Sequence, residues 1–304
     1  MNDTATKNAF LKLHISILIS CFTSIFGRII TLNEGLLVWE RLVISFLAFA
    51  VIVLIAGKLK KIPVKEFFKI MGAGFLLGLH WLFFYGSIKY SNVSVGIVCF
   101  SSVGLFTAIF EPLINKHKFS LREFVYSLIT ILGIYMIFHF DAQFRTGIIL
   151  GTISAAIAAL YTITNKRVAQ NRSSGLVLLY ELFGGMIILS CIMPFYLHHF
   201  PVQSIFPSLH DLGLLLVLSL FCTIGLYLLQ IQALKRISPF TVNLSYNLEP
   251  VYTVILAMVF LGEANEVSTA FYIGMGCIVL SVILQTITAL RSPSPVRITT
   301  NEQT

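Results

Sequence analysis

Long apolar stretches separated by short polar connections make up almost the whole chain. A helix needs about 20 apolar residues to cross a bilayer, and ten stretches come close to that length. They cover residues 13–31, 36–56, 70–88, 93–114, 124–140, 147–165, 175–195, 212–233, 240–261 and 268–290. The pattern therefore predicts an all-α membrane protein with ten transmembrane helices.

Composition supports this interpretation. Hydrophobic residues form 57% of the 304-residue chain and charged residues 11%, whereas soluble domains carry about 25% charged residues. The net charge of +8 is spread over short loops between apolar runs, so we expect a lipid environment and no nucleic-acid partner. The five cysteines stand singly, and neither they nor the histidines show metal-ligand spacing, so we expect no metal and no cofactor.

Loop charges predict the orientation in the membrane. With a cytoplasmic N-terminus, seventeen Lys and Arg residues fall on the cytoplasmic side and three, Arg28, Lys89 and Arg145, on the other. Basic residues concentrate on the cytoplasmic side of membrane proteins. We therefore expect a multi-pass protein of the cell (inner) membrane with both termini cytoplasmic. The polar tail 291–304 is expected to be disordered.

The second half of the chain repeats features of the first. Residues 104–109 align with residues 250–255 at an offset of 146, and Lys89 aligns with Lys235 at the same offset. Each half holds five predicted spans, and an odd number forces the second half to run upside down relative to the first. We therefore expect two inverted five-helix repeats, residues 13–140 and 147–290. Such repeats are typical of transporters, with the binding site at their interface.

The most informative polar stretch, residues 243–250, lies inside the ninth apolar run. Glu249 stands near the middle of that run, where an ionised side chain is costly and usually faces a cavity or a partner. Pro250 follows directly and deprives the carbonyl of Tyr246 of its helical donor. A broken polar helix at this depth is tolerated only where protein or water covers it. We expect Glu249 to take part in handling a substrate or a proton, although a packing kink would leave the same pattern.

Further candidates lie at mid-depth in other spans. The third and eighth spans are equivalent in the repeat, so His80, Trp81 and Tyr85 are expected to face Tyr227 across a cavity. Aromatic walls with a few polar groups are typical of small-molecule pockets. The alternatives are aromatic packing between helices and a histidine that is simply hydrogen-bonded.

The ninth span carries polar residues on two faces. One face holds Glu249 with its neighbours at i ± 4, and the other holds Asn243, with Tyr246 between the two. The sequence leaves open which face lines the cavity. Ser24 in the first span and Tyr161 in the sixth complete the predicted substrate-binding set.

Charged residues near the two ends of the spans form two sets related by the repeat. These are Arg28, Glu40 and Lys89 at the outer mouth and Arg167, Glu181 and Lys235 at the inner mouth. One hypothesis is that each set forms ion pairs while its own mouth is closed. The alternative is ordinary anchoring of long side chains at the membrane interface.

With these features in view, the chain resembles the EamA-type transporters of the drug/metabolite transporter superfamily. The motifs that carry the resemblance in the second half are A-L-K-R-I-S-P at 233–239, L-E-P-V at 248–251, F-L-G-E at 260–263, Gly274 and Gly276. In the first half they are E-R-L at 40–42, S-I-K-Y-S at 87–91 and Gly133. The chain departs from the family at Gly104, where proline is usual. The resemblance implies a ten-helix carrier with a central cavity for amino acids, other metabolites or nucleotide sugars.

These observations favour a secondary transporter of a small polar metabolite, an amino acid or a related compound, working by alternating access. Protons are a candidate coupling ion, while the oligomeric state is left open. No G-x-x-x-x-G-K motif indicates ATP use. Glu249 and His80 stand out as the mid-depth ionisable residues, too few for an intramembrane enzyme. A receptor or structural protein, the third class, would not need a broken polar helix.

Overall fold

The computed structural model describes residues 3–116, 118–137, 145–170, 172–202 and 204–253, and single positions between 256 and 287. Every regular element in these ranges is helical. The helices are α1 Asp3–Ile29, α2 Glu34–Ile55, α3 Val64–Lys89, α4 Val93–Phe100, α5 Val103–Asn115, α6 Leu121–Ile137, α7 Arg145–Ala169, α8 Ser174–His199, α9 Leu209–Ser219, α10 Leu226–Leu234 and α11 Pro239–Ser245. A π-helical segment, Leu220–Gly225, joins α9 to α10, and a 3₁₀ turn, Tyr246–Leu248, follows α11.

Six helices in the described part of the chain are long and apolar enough to cross a membrane. They are α1, α2, α3, α7, α8 and the continuous Leu209–Leu234 segment, and they match six of the predicted runs. The predicted span 268–290, apart from single helical positions, and the tail 291–304 lie outside the described residues. The multi-pass helical architecture is therefore confirmed at the level of these six spans.

Side-chain caps explain where several helices begin. Asn33 accepts a hydrogen bond from the backbone N–H of Leu36 at the start of α2, and Ser173 accepts one from Leu176 at the start of α8. Ser238 caps α11 in the same way, with proline as the first helical residue. Asn and Ser are favoured at this position because their oxygens satisfy an otherwise unpaired N–H group.

The backbones of α3 and α8 approach each other closely. A methyl group at Gly74 would collide with the backbone carbonyl of Glu181, and one at Gly184 would lie 2.5 Å from the Cα atom of Met71. Small residues allow this approach of two backbones, which stabilises helix pairs in lipid. On the opposite side of α3, Gly72 faces open space.

The outer surfaces of the helices are apolar. Ile55, Leu113 and Phe195 are 83%, 72% and 73% exposed. Exposed apolar patches of this extent are uncommon in soluble monomers, and they suit contact with lipid. Polar side chains are instead concentrated in the interior, among them Ser16, Ser24, Thr107 and Asn165, which are fully buried.

The predicted fourth span is not one continuous helix. It is divided into α4 and α5 at Ser101 and Ser102, whose hydroxyls donate to the carbonyls of Ile97 and Cys99. Hydroxyls that bond to the preceding turn compete with the helical ladder and bend helices. The predicted run 93–114 is therefore helical on both sides of a break that the apolar pattern did not indicate.

The ninth span is broken as predicted. Its α-helix ends at Ser245, and the 3₁₀ turn occupies the residues directly before Glu249 and Pro250. Pro250 removes the N–H that would close the helical turn at Tyr246. The two breaks, at Ser101 and at Asn247, are separated by the offset of 146 that relates the two halves of the sequence.

Candidate functional site

A small cavity lies where α1, α2, α3, α7, α10 and α11 meet. It has a volume of about 50 Å³, enough for about four water molecules. The predicted site residues that line it are His80, Trp81, Tyr161, Tyr227, Asn243, Tyr246 and Glu249. The other lining residues are Ser20, Thr23, Arg41, Phe84, Phe100, Ala158, Thr162, Leu226 and Gln230.

Three aromatic residues from three helices form one wall of the cavity. The indole Nε1 of Trp81 donates to the hydroxyl of Tyr227 over 2.8 Å, and the two rings meet edge to face at 5.4 Å. Tyr161 meets Tyr227 at 6.1 Å in the same manner. Edge-to-face pairs are a favoured geometry for aromatic rings. The expectation that the third and eighth spans face each other at this level agrees with these contacts.

Arg41 on α2 is the charged lining residue that sequence reasoning did not select. Its guanidinium is fully buried, and its carbon atom lies 3.7 Å from the centroid of the Trp81 ring. Nε donates to Thr223 over 2.7 Å and Nη2 to the carbonyl of Cys222 over 2.8 Å, both within the π-helical segment. Nη1 donates over 2.7 Å to the hydroxyl of Tyr85. π-Helical turns often occur at functional sites, and this one holds a cation at the cavity.

Tyr85, which was expected to face the cavity, instead contacts Arg41. Tyr85 does not line the cavity; it is fully buried behind Arg41 and holds its guanidinium. The sequence feature that could have identified Arg41 is its position inside an apolar run. It is the sixth residue of the run 36–56, which puts it about 8 Å along a helix with a rise of about 1.5 Å per residue.

Glu249 faces the cavity directly after the 3₁₀ turn and is 4% exposed. Ser20 and Ser24, one helical turn apart on α1, present their hydroxyls to its carboxylate. The Ser24 Oγ forms no complete hydrogen bond within the described residues. Ser24 is therefore a neighbour of Glu249 and not a lining residue, and Ser20, which was not predicted, lies at the cavity surface.

Asn243 and Tyr246 reach the cavity together with Glu249. The amide of Asn243 donates to Thr107 over 2.8 Å and its oxygen accepts from Thr162 over 3.0 Å. The expectation that only one face of the ninth span lines the cavity was wrong. A 3₁₀ turn advances by about 120° per residue instead of about 100°, which brings residues from separate faces onto one side.

His80 is hydrogen-bonded and stacked at the cavity. Its Nδ1 lies 2.7 Å from the hydroxyl oxygen of Ser154, and that hydroxyl also lies 3.0 Å from the carbonyl oxygen of His80. The imidazole stacks on Phe100 with ring centroids 5.1 Å apart. These contacts fix the ring and match the alternative of a satisfied histidine.

Glu181 is enclosed by the protein in this conformation. It is fully buried, accepts a hydrogen bond from Asn165 over 2.8 Å, and lies 3.4 Å from the hydroxyl of Tyr161. Since Tyr161 lines the cavity, Glu181 contacts the site through that residue. Arg41 and Glu181 are therefore buried ionisable residues at or beside the cavity, in addition to Glu249 and His80.

The two predicted mouth lysines make equivalent contacts. Lys89 donates over 2.5 Å to the carbonyl of Ile30, just after α1, and Lys235 donates over 2.5 Å to the carbonyl of Arg172, just after α7. Each lysine thus holds the end of the first helix of its half of the chain. For Lys89 this position is favourable because the last carbonyls of a helix carry partial negative charge, whereas the Arg172 carbonyl lies three residues beyond the end of α7.

The remaining mouth residues are closer to the surface. Arg28 is exposed, Glu40 is partly buried, and Arg167 donates over 2.8 Å to the side chain of Asn115. An ion pair that was not predicted joins Arg172 to Glu66 at 2.9 and 2.6 Å. The Glu66 hydrogen bond raises the pKa of Arg172. Both lysine contacts are to carbonyls, so the ion-pair hypothesis for the mouths stays a prediction.

The chain is similar in sequence to known transporters. The model of a family described as the EamA-like transporter family matches the chain twice, over residues 8–139 and 145–287. An uncharacterized transporter of Haemophilus influenzae is 27% identical over 281 residues, which cover 84% of this chain and 86% of the relative. An uncharacterized transporter of Clostridium kluyveri is 24% identical over 215 residues, 65% of each chain.

A solved structure supports the same architecture. One crystal structure superposes with a TM-score of 0.69 over 95% of this chain and 100% of its own, at 19% sequence identity. At that identity the likeness establishes the fold alone. The family and both relatives are named for transport, in agreement with the class expected from the sequence.

Proposed function

Because the chain belongs to the EamA-like transporter family, we propose that it is a secondary transporter of a small polar metabolite, with amino acids and related compounds as the first candidates. The observation that carries this proposal is the cavity at Glu249. It combines a carboxylate with aromatic hydroxyls in the middle of apolar helices. Helix packing alone does not require such a space, whereas a carrier does.

The proposal includes two inverted repeats, residues 13–140 and 147–290, that together form ten transmembrane helices. Three observations support it: the family model matches each half, the helix breaks share one offset, and Trp81 and Tyr227, at that same offset, contact each other. Equivalent residues of two repeats are expected to meet only close to the axis that relates them. This favours a binding site at the repeat interface.

The small size of the cavity supports alternating access. Small-molecule sites usually have about 300 Å³ or more, and this cavity has about 50 Å³. We therefore expect the helices around it to separate on one side at a time when a substrate enters. Lys89 and Lys235, which hold equivalent helix ends, are placed to stabilise closure of the two mouths. Such a carrier needs two conformations within a few kcal/mol of each other.

Location and coupling complete the proposal. The distribution of Lys and Arg favours the cell (inner) membrane with both termini in the cytoplasm. Glu249 is the candidate for proton coupling, since a carboxyl at a cavity can exchange a proton when one mouth opens. The neighbouring hydroxyls of Ser20 and Ser24 can stabilise its charged form.

Uptake by purified protein in proteoliposomes tests the function. A radiolabelled panel of amino acids, amines, organic acids, sugars and nucleotide sugars would be measured with and without a proton gradient. We expect saturable uptake of one class of polar metabolite that empty liposomes do not show. The proposed transport function would be wrong if protein that retains its helical fold moved no member of this panel.

A further inference from the structure

Arg41 carries a positive charge that the described structure leaves without a negative partner. Its three hydrogen-bond acceptors, Tyr85, Thr223 and the Cys222 carbonyl, are all neutral. Removing a guanidinium from water is costly unless a negative group accompanies it. The electron-rich face of Trp81 compensates only part of this cost.

Arg41 also retains hydrogen-bonding capacity. A guanidinium has five N–H groups, and the named contacts use one on Nε and one on each terminal nitrogen. One N–H therefore remains on each of Nη1 and Nη2. N–H groups on the two terminal nitrogens of a guanidinium can bind the two oxygens of a carboxylate.

Glu249 presents the opposite charge to the same cavity. Arg41 and Glu249 both line it, and no ion pair joins them, although both residues are in the described part of the chain. Opposite charges that face one cavity without touching each other are complementary to a ligand that bears both charges. A zwitterion would give each residue the partner that it lacks.

We propose that Arg41 and Glu249 are the two ends of a binding site for a zwitterionic amino acid. The carboxylate of the ligand binds Arg41, and its ammonium group binds Glu249 beside the hydroxyl of Ser20. Trp81 and Tyr227, which line the same cavity, contact the body of the ligand. This assignment rests on the transport function proposed above and gives that site its substrate class.

The first test uses the unaltered protein and a series of competitors. Proteoliposomes are screened with individual radiolabelled amino acids, and the transported one is then competed with its amide, its decarboxylated amine and its deaminated acid. Loss of a hydrogen bond to a charged group weakens binding by about 10- to 100-fold. We expect each analogue to compete at least about tenfold less well than the amino acid.

A second test measures binding at Arg41 without transport. The chain has two tryptophans, and Trp39 lies outside the cavity, where it donates to Ser190. Trp39→Phe therefore leaves Trp81 as the single reporter, in contact with Arg41. We expect the amino acid to change Trp81 emission with saturation. Arg41→Gln should raise the half-saturating concentration by about 10- to 100-fold and abolish the preference for the acid over its amide.

The outcomes separate this inference from the proposed function. If the protein transports an amine, a sugar or an amide as well as any amino acid, transport stands and the zwitterion site is wrong. If Arg41→Gln and Arg41→Lys lower stability but keep the preference for acid over amide, Arg41 is a structural tether and the site is also wrong. If the protein transports no solute of the panel and no solute changes the emission of Trp81, both proposals fail.

Discussion

Trp81 donates a hydrogen bond to Tyr227 over 2.8 Å, and the two residues are 146 positions apart, the offset that aligns the two halves of the chain. A contact between equivalent positions is the expected signature of an axis relating two repeats. The aromatic wall of the cavity is therefore built around the proposed repeat interface, with Trp81 from the first half and Tyr161 and Tyr227 from the second.

This contact should be measurable as a coupling energy. Tyr227→Phe removes the acceptor and leaves the buried indole N–H of Trp81 unpaired, which we expect to cost about 1–3 kcal/mol of unfolding free energy. In a Trp81→Phe background the same change should cost much less, because no donor remains. Thermal unfolding in detergent would measure both. An equal cost in the two backgrounds would show that the hydrogen bond contributes nothing.

Packing of α3 against α8 gives a second prediction. Gly74→Ala places a methyl group against the carbonyl of Glu181, and we expect a loss of about 1–3 kcal/mol from overpacking. Gly72→Ala is the matched control, because it is two positions away on the same helix and faces open space. Thermal unfolding should separate the two variants clearly. Similar melting temperatures would contradict the close approach of these helices.

The two mouth lysines should act in opposite directions. Lys89→Gln weakens the contact to Ile30 at the outer mouth and should favour the outward-open state. Lys235→Gln weakens the contact to Arg172 and should favour the inward-open state. The shift would be measured with a single cysteine at Ser24 and an impermeant external reagent. Labelling should be faster in Lys89→Gln and slower in Lys235→Gln than in the unaltered protein.

The control for that experiment is Lys58→Gln, a change in an exposed loop that should leave labelling unchanged. Glu40→Gln and Glu181→Gln remove the charges predicted at the outer and the inner mouth. Glu40→Gln should favour the outward-open state and speed up labelling, whereas Glu181→Gln should favour the inward-open state and slow it down. Shifts in the same direction within either pair would refute paired mouths and favour simple anchoring at the interface.

Membrane orientation has its own test. In a background without the native cysteines, a cysteine at Ser204 should react with an impermeant reagent in intact cells, and one at Lys60 should react only after the membrane is opened. The reason is the excess of Lys and Arg in the loops assigned to the cytoplasm. Labelling at Lys60 alone would reverse the topology.

Much of the site was predictable because two simple patterns define it. Depth along an apolar run and the helix-breaking Pro250 indicated Glu249, and the equivalence of the third and eighth spans placed Trp81 among the residues expected to face Tyr227. The first signal is local and the second is periodic. Both remain valid in the folded protein because a membrane helix can change little except its rotation and tilt.

The remaining features depend on backbone details that periodicity does not encode. Arg41 was missed because its role depends on a π-helical segment in a distant helix, which supplies the carbonyl of Cys222. Asn243 and Glu249 reach one cavity because a 3₁₀ turn changes the rotation between them. Serine bonds within the backbone divide the fourth span, although serine is common in unbroken helices as well.

The most direct test of the account is counterflow of the transported amino acid by Glu249→Gln in proteoliposomes, between about pH 5 and pH 8. Glu123→Gln, which removes a carboxyl at the start of α6 away from the cavity, is the matched control. We expect Glu249→Gln to fold and to lose at least about tenfold in rate, along with any pH dependence, while the control transports normally. A folded Glu249→Gln protein that transports at the unaltered rate throughout this range would contradict the account.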